Sequence, residues 1–276
     1  METRHGVDPV HFKTMTTKDL REKFLIESLF SGAGPLLYYI DTDRIIVGGV
    51  QPSAPTSLVV GSEVTGTKYL LDRRELGIIN IGQAGSVTAD GKTFELGNLD
   101  ALYVSTGTQQ IAFSSKDANR PARFYLVCVP SHAKHPTQLI RQAQAETESL
   151  GGQERANKRT IYRCIHAAGV KSSQLVMGYT KLDPGNVWNT MPPHTHSRRS
   201  EIYLYFDFSA DDLVFHYMGS PGETRHIAVR EGQAVASPNW SIHAGSGTHS
   251  YSFVWAMAGE NQIFADMDAV PIDQIM

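Results

Sequence analysis

Two histidines and a glutamate lie close together in the stretch GNVWNTMPPHTHSRRSEIYLYF, residues 185–206. His194 and His196 are two residues apart, and residues two apart in a β-strand project from the same face. Both imidazoles can therefore point at one metal ion. Glu201 follows five residues later, which in a straight strand would place it on the opposite face. The spacing predicts a turn or bulge within residues 197–200 that returns Glu201 to the side of the histidines.

Beyond the predicted turn, strand alternation resumes. Glu201, Tyr203 and Tyr205 are expected on one face of the strand, because they are two residues apart. Ile202, Leu204 and Phe206 are then expected on the other face.

A further histidine occurs in the stretch EGQAVASPNWSIHAGSG, residues 231–247. His243 follows Pro238 by five positions, and Gly232 precedes Pro238 by six. The two stretches, G…HxHxxxxE and GxxxxxPxxxxH, resemble the two motifs of the cupin family. The resemblance implies that one divalent metal is bound inside a β-barrel by His194, His196, Glu201 and His243. The sequence departs from the first motif in that Gly185 precedes His194 by nine positions, farther than the usual spacing, and this departure concerns the loop rather than the ligands.

The types of the four ligands limit which metal ions the site can bind. Three imidazoles and one carboxylate suit Zn²⁺, Fe²⁺, Mn²⁺, Co²⁺ or Ni²⁺, and ligand types do not choose among these ions. An isolated HxH pair has an ordinary structural explanation, because a histidine in a strand often only bonds a backbone carbonyl. The presence of both motifs favours a metal site over that explanation.

The elements that must position these residues are strands. From about residue 35, short apolar runs such as LLYYI and RIIVGGV alternate with Gly, Pro, Asp, Asn or Ser, which is typical of an antiparallel sandwich or barrel. The same pattern resumes at about residue 159. Residues 16–30, TTKDLREKFLIESLF, predict one helix, with Thr16 as its cap and Asp19 in its first turn.

We expect an all-β fold of two cupin-like antiparallel barrels, a bicupin, with a short N-terminal helix. Residues 1–135 are predicted to form an N-terminal barrel, residues 136–158 a polar linker and residues 159–276 the metal-binding barrel. The stretches 73–91 and 97–113 contain no histidine. The N-terminal barrel is therefore expected to be metal-free and to serve packing, dimer formation or closure of the partner site. Two unrelated β-domains are the alternative.

Composition excludes several classes of protein. The net charge is −3, whereas a nucleic-acid-binding protein usually has an excess of basic residues. We find no apolar run long enough to cross a bilayer, and the first residues lack the apolar core of a signal peptide. The two cysteines, Cys128 and Cys164, are too few for a disulfide scaffold. We expect a cytoplasmic protein without nucleic-acid or membrane partners.

Longer stretches carry a more specific resemblance. RTIYRCI, MGYTKLDPGNVWNTMPPHTHSRRSEIYLYF, ETRHIAVREGQAVASPNWSIHAGSGTHSY and GENQIFADMD closely resemble the 5-keto-4-deoxyuronate isomerases, also called 4-deoxy-L-threo-5-hexosulose-uronate ketol-isomerases. DRIIVGGV, RRELGIINIG and DALYVSTGT in the first half resemble them too. The resemblance covers nearly the whole chain, and residues 131–158 match least.

The resemblance implies an aldose–ketose isomerase of pectin and uronate breakdown. Its substrate would be 5-dehydro-4-deoxy-D-glucuronate and its product 3-deoxy-D-glycero-2,5-hexodiulosonate. It also implies one Zn²⁺ per subunit at the four ligand positions and a homo-hexamer. Such a reaction turns the C1 aldehyde into an alcohol and the C2 hydroxyl into a ketone. It needs a Lewis acid and a base that moves a proton from C2 to C1.

Several residues are candidates for the remaining roles. Glu201 is a candidate for the base, and a role as metal ligand alone is the alternative. Further candidates near the cavity are Tyr179, Lys181, Tyr203, His216 and Glu260. Arg198 and Arg199 are candidates for binding the substrate carboxylate, because arginine binds carboxylates through two parallel hydrogen bonds. Solvated turn charges are the alternative for both, and Arg163 is a further option.

Three other functions remain open at this point. A cupin dioxygenase uses the same three histidines and one glutamate around Fe²⁺ or Ni²⁺. A non-catalytic sugar-binding bicupin often lacks a complete metal set, whereas this sequence has one. A sugar-sensing regulator would carry a helix-turn-helix pattern or a basic patch, and we find neither in the sequence.

Overall fold

The structure is a computed structural model that describes residues 1–32 and 34–276. The α-helices are α1 (Pro9–Phe12), α2 (Thr17–Phe24) and α3 (Ser62–Thr65). Short 3-10 helices occupy Thr42–Arg44, Gln142–Gln144, Gln153–Arg155 and Ile272–Gln274. Among the residues described, none of the helices combines the length and the apolar character that a membrane span requires.

Strands make up most of the regular structure. The first twelve are β1 (Glu2–Arg4), β2 (Leu25–Ile26), β3 (Leu36–Ile40), β4 (Ile45–Val50), β5 (Thr56–Ser57), β6 (Arg74–Asn80), β7 (Gly85–Ala89), β8 (Lys92–Leu96), β9 (Ala101–Val104), β10 (Ile111–Ser115), β11 (Phe124–Pro130) and β12 (Gln138–Ile140). The remaining strands are β13 (Glu146–Leu150), β14 (Arg159–Ile165), β15 (Val176–Leu182), β16 (Trp188–Asn189), β17 (His194–Thr195), β18 (Arg199–Phe206), β19 (Val214–Ser220), β20 (Glu223–Val229), β21 (Ala234–Ser237), β22 (Ile242–Gly247), β23 (Ser252–Gly259) and β24 (Asp268–Ala269).

The sheets repeat one arrangement twice. A seven-stranded sheet in the order β1-β3-β4-β11-β6-β9-β12 accompanies a four-stranded sheet in the order β5-β10-β7-β8. The second pair is β13-β14-β15-β23-β18-β21-β2 with β16-β22-β19-β20. Neighbouring strands in the barrel walls are antiparallel, and β1 joins β3 in parallel at one edge. The prediction of an all-β fold with two cupin-like barrels is confirmed.

The interiors of the two barrels differ in chemistry. The first is filled by buried apolar side chains, among them Leu76, Ile78, Val87, Phe113 and Phe124. Packing of this kind gives the first barrel a stable core built from apolar groups. The second barrel also has an apolar cluster, but it encloses polar and titratable groups as well.

A third core lies between the barrels, where the outer faces of the two seven-stranded sheets meet. It contains Tyr125 and Val127 of the first sheet and Ile202, Leu204 and Phe206 of the second. On the other face of β18, Tyr203 and Tyr205 belong to the interior of the second barrel. The predicted alternation along this strand is confirmed.

The N-terminal helix packs against the second barrel. Thr16 caps α2 as predicted: its hydroxyl accepts from the Asp19 N–H, and the Asp19 carboxylate accepts from the Thr16 N–H at 2.8 Å. The helix ends at Phe24, earlier than the predicted residue 30, because Leu25 and Ile26 pair with β21 as β2. Leu20 and Phe24 are buried in the second barrel's core, although residues 1–135 were expected to belong to the first.

Residues 136–158, expected as a linker, supply an edge strand to each large sheet. Strand β12 pairs with β9, and β13 pairs with β14. Sequence pattern misses them because edge strands carry polar side chains that discourage pairing with other chains. In β13, Glu146, Thr147 and Glu148 are exposed.

Glu75 ties the two barrels together. This fully buried side chain belongs to β6 of the first barrel. Its Oε2 accepts from the Tyr103 hydroxyl at 2.8 Å and from the Ser173 N–H at 2.6 Å. Its Oε1 accepts from the N–H groups of Gln174 and Leu175 at 2.9 and 3.0 Å. One carboxylate thus satisfies three backbone donors in the segment that leads into β15.

We predict that Glu75→Ala lowers the free energy of unfolding by at least about 3 kcal/mol, because four neutral donors lose their acceptor and each unsatisfied buried donor costs about 1–3 kcal/mol. Urea unfolding followed by fluorescence measures the change. Glu95→Ala, at an exposed position of the same barrel, serves as the control and should shift stability by less than about 0.5 kcal/mol. Equal unfolding midpoints for the two variants would contradict the role of Glu75.

Candidate metal centre

A turn brings Glu201 back towards the two histidines that precede it. Strand β17 carries His194, and β18 begins at Arg199. Ser197 and Arg198 form the turn between them, and the Arg199 N–H donates to the His196 carbonyl at 3.2 Å. The turn predicted from the five-residue spacing is confirmed.

Two carboxylates from distant parts of the chain hold this turn. Asp43 Oδ2 accepts from both the N–H and the hydroxyl of Ser200, each at 2.7 Å. Asp268 Oδ2 accepts from the hydroxyl of Ser197 at 3.2 Å. Strand β24, which contains Asp268, also pairs with β17. The N-terminal barrel therefore helps to position the ligand strand through Asp43.

His243 approaches from the opposite sheet. It lies on β22, opposite Met218 of β19. The turn before it is closed by the Ser241 N–H, which donates to the Pro238 carbonyl at 3.0 Å. Gly232 has a φ of +79°, a conformation that glycine adopts without steric cost. The residues of the second motif thus shape the two turns that flank β21 and present His243 to the barrel interior.

The structure brings the four expected ligands together. One nitrogen or oxygen atom from each of His194, His196, Glu201 and His243 lies within 4.8 Å of the others. The Nε2 atoms of His194 and His243 are 2.9 Å apart. Glu201 Oε2 is 3.0 Å from His243 Nε2 and 3.4 Å from His196 Nε2.

The protonation of the histidines fits a metal site. Burial lowers the pKa of His194 to about 2, with neighbouring His243 adding to the effect. Burial also lowers the pKa of His196, with His243 and His194 contributing. Both imidazoles are thus neutral at physiological pH, and metal ligands must be deprotonated. His196 Nε2 is buried without a hydrogen-bond partner, so its lone pair is free for a divalent cation.

A cavity of about 440 Å³ opens beside these ligands. Three of the four ligands line it, namely His194, His196 and Glu201. Its other lining residues come from the inner face of the large sheet and from nearby loops: Glu148, Leu150, Arg159, Ile161, Arg163, Thr180, Thr190, Pro192, Tyr203, Phe253, Trp255, Met257, Phe264, Ala265 and Met267. The volume is within the usual range for small-molecule sites.

A model of the KduI/IolB family matches residues 31–272. The chain belongs to the KduI/IolB family. This family member is 50% identical over 275 residues to the 4-deoxy-L-threo-5-hexosulose-uronate ketol-isomerase of Caldicellulosiruptor bescii, with 100% of each chain covered. It is 48% identical to the enzyme of that name from Shouchella clausii, again with 100% of each covered. The resemblance seen in the sequence motifs is confirmed.

A solved structure has an architecture similar to that of this KduI/IolB family member. An IolB-like protein from Salmonella typhimurium superposes with a TM-score of 0.69 at 15% identity, covering 87% of this chain and 94% of that one. At this identity the likeness concerns the fold alone.

The structure does not bring Arg198 into the cavity. Its Nε donates to both carboxylate oxygens of Asp266 at 2.9 Å, and one Nη donates to Asp268 at 2.9 Å. Hydrogen bonding from Arg198 lowers the pKa of Asp266 to about 2, with Asn261 assisting. Arg198 is therefore paired within the protein rather than free for a substrate carboxylate.

Arg199 also has a different position from the one expected. It is 1% exposed and donates to the carbonyls of Ile263, Phe264 and Asp266 at 2.7, 3.0 and 2.9 Å. These carbonyls belong to the loop that supplies Phe264 to the cavity wall. The geometry thus assigns both arginines to holding this loop, because residues 263–268 accept their hydrogen bonds.

The other base candidates are scattered. Tyr203 lines the cavity. His216 is fully buried and bonds the Tyr205 hydroxyl at 2.8 Å. Tyr179 lies in the core between the barrels, and Lys181 is 3.9 Å from Asp207. Glu260 is exposed.

Arg159 lines the cavity and was missed at the sequence level. It lies on β14 with Ile161 and Arg163, and all three reach the cavity. Strand alternation was the available signal, since residues 159, 161 and 163 share one face. Of these three residues, the sequence indicated only Arg163 as a candidate for binding the substrate carboxylate.

We predict that His196→Ala and His243→Ala lower bound Zn²⁺ far below one ion per chain after loading and dialysis. Loss of a ligand should weaken binding by more than the roughly 10–100-fold typical of outer-shell changes. Elemental analysis of the purified variants measures the occupancy. His226→Ala, at an exposed position of the same barrel, is the matched control. Full occupancy in both ligand variants would refute this site.

Proposed function

We propose that this protein is a 4-deoxy-L-threo-5-hexosulose-uronate ketol-isomerase. It would convert 5-dehydro-4-deoxy-D-glucuronate to 3-deoxy-D-glycero-2,5-hexodiulosonate in pectin and uronate breakdown. The observation that carries the proposal is a complete set of metal ligands beside a cavity, in a chain half identical over its full length to enzymes of that name.

One Zn²⁺ per subunit is the proposed metal, held by His194, His196, Glu201 and His243. The close approach of their donor atoms and the unpartnered His196 Nε2 support this assignment. The same donors also suit other divalent ions. When bound, such a cation supplies Lewis-acid stabilisation of negative charge on neighbouring oxygens.

Glu201 is proposed to carry the proton between the two carbons. Its Oε2 lies 3.4 Å from His196 Nε2 and 3.0 Å from His243 Nε2, and the residue lines the cavity. The carboxylate takes the proton from C2 and delivers it to C1. The C2 hydroxyl also gives up its proton as it becomes the ketone, and the aldehyde oxygen gains one. Atoms therefore balance without an external oxidant or reductant.

Tyr203 and the aromatic wall support this chemistry. Burial raises the pKa of Tyr203 well above its usual value, so its hydroxyl stays protonated and can donate a hydrogen bond to a substrate oxygen. Phe253, Trp255 and Phe264 line the same cavity. Apolar walls exclude water and strengthen electrostatic interactions within the site.

We predict that the Zn²⁺-loaded protein isomerises 5-dehydro-4-deoxy-D-glucuronate, that chelation of the metal abolishes turnover, and that added Zn²⁺ restores it. Proton NMR follows the loss of C1 aldehyde hydrate signals and the appearance of product. Glu201→Gln should lower kcat by about 10²–10⁴-fold, the usual contribution of a general base. His226→Ala should retain activity. Oxygen consumption in place of isomerisation would instead establish the dioxygenase alternative.

The same reaction in D₂O follows the path of the proton. A proton held on a carboxylate can exchange with solvent before it is returned, so deuterium is expected at C1 of the product. Product without deuterium would argue for direct hydride transfer or a fully shielded proton. Measuring metal in Glu201→Gln separates the roles of this residue. Loss of activity with metal retained identifies a proton carrier, and loss of both identifies a ligand alone.

We further propose a cytoplasmic homo-hexamer. Both cysteines, Cys128 and Cys164, are buried free thiols, as expected for a reducing compartment. Apolar side chains near the C-terminus are exposed, including Ile263 at 62% and Ile272 at 59%, and subunit contacts would cover them. Light scattering on the purified protein should give about six times the chain mass of 30.4 kDa, whereas a monomer would refute this assembly.

A further inference from the structure

Two guanidinium groups line the cavity beside the metal ligands, and they differ in their partners. Arg163 is 2.7 Å from Glu146 and also pairs with Glu148. Its guanidinium lies 4.5 Å from the centre of the Phe264 ring. Two carboxylates therefore neutralise this arginine at the edge strand β13, and its charge is already satisfied within the protein.

Arg159 has no such neutralisation. Its hydrogen bond within the described part of the chain goes from Nη1 to the Asn157 carbonyl at 2.8 Å, and none of the ion pairs found there includes it. Burial lowers the pKa of this guanidinium, while the hydroxyls of Tyr203 and Tyr251 oppose the change. Arginine nevertheless keeps its charge in proteins. A permanent cation thus lines the cavity, and among the described residues no carboxylate pairs with it.

Arg159, Tyr203 and three of the four metal ligands line one continuous cavity. The Tyr203 ring is 5.4 Å from that of His243, and Tyr203 lines the same cavity as Arg159. The neighbouring Leu150 and Ile161 are apolar lining residues. A six-carbon chain spans roughly 6 Å from C1 to C6, given bonds of about 1.5 Å. A cavity of about 440 Å³ has room for a ligand of this length, with the metal ligands and Arg159 both on its wall.

We propose that Arg159 binds the carboxylate of the substrate and makes the cavity selective for sugar acids over neutral sugars. The identity of the substrate rests on the proposed function, but the selectivity for a carboxylate rests on the cavity itself. A planar guanidinium can hold a carboxylate through two parallel hydrogen bonds. The donors of Arg159 other than Nη1 supply these bonds, whereas both Nη groups of Arg163, the edge that would grip a carboxylate in parallel, are engaged with Glu146 and Glu148.

Steady-state kinetics test the role in turnover. Arg159→Met removes the charge and keeps most of the apolar stem, so KM should rise by about 10–100-fold while kcat changes little, as for a contact made equally in ground and transition states. Arg159→Lys keeps the charge without the planar fork and should recover part of the loss. Bound Zn²⁺ should be unchanged in both. Arg120→Met, at an exposed site on the first barrel, is the matched control. An unchanged KM in both Arg159 variants overturns the proposal.

Binding of a non-substrate pair separates this inference from the proposed function. Calorimetry with Zn²⁺-loaded protein compares D-galacturonate, which carries the carboxylate, with D-galactose, which does not. We expect binding of the acid to be at least about tenfold tighter and this preference to be lost in Arg159→Met. A preference that persists in Arg159→Met and Arg159→Lys shows that the carboxylate is held elsewhere, including by the metal. An Arg159-dependent preference without isomerase turnover refutes the proposed function and leaves the carboxylate site standing.

Discussion

Three imidazoles and a carboxylate can meet at one buried point only if the backbone forces them together. Removing such groups from water is unfavourable until a cation or hydrogen bonds compensate them. The decisive constraint is the turn at Ser197 and Arg198, since it places Glu201 on the same side as His194. The turn depends in its own right on Asp43 and Asp268, which approach from opposite ends of the chain. The candidate metal site is therefore a property of the whole fold rather than of one motif.

The parts of the site that the sequence predicted are those set by local periodicity. A strand alternates its side chains between two faces, so the placement of Tyr203 and Ile202 on opposite sides follows from the order of residues in β18. The same rule placed His194 and His196 together, and it required a turn before Glu201. In each case the evidence and the consequence lie within about ten residues. The helix cap at Thr16 belongs to this class, because the cap and its partner Asp19 are three residues apart.

The parts that could not be predicted depend on partners far away in the chain. Arg198 and Arg199 stand in the right turn to meet a substrate, but their partners lie some sixty residues later, in the segment 263–268. The edge strand β13 lacks an apolar pattern, because only β14 covers it. The apolar face of the N-terminal helix could pack against either barrel, and the sequence does not indicate which barrel buries it. Tertiary contacts determine the positions of the two arginines, of β13 and of the helix, and the local sequence pattern contains no information on these contacts.

The distribution of charge in the cavity would favour one orientation of a bound ligand. The imidazoles of His194 and His196 are neutral, so a divalent ion there leaves a net positive end even with Glu201 ionised. Arg159 forms a second positive point, while Arg163 is neutralised by its two glutamates. A molecule with oxygens at one end and a carboxylate at the other matches both points. A reversed ligand would place its carboxylate at the metal ligands and leave the Arg159 guanidinium without an anionic partner. Under the proposed function, that mismatch would favour one binding orientation, with C1 and C2 beside Glu201.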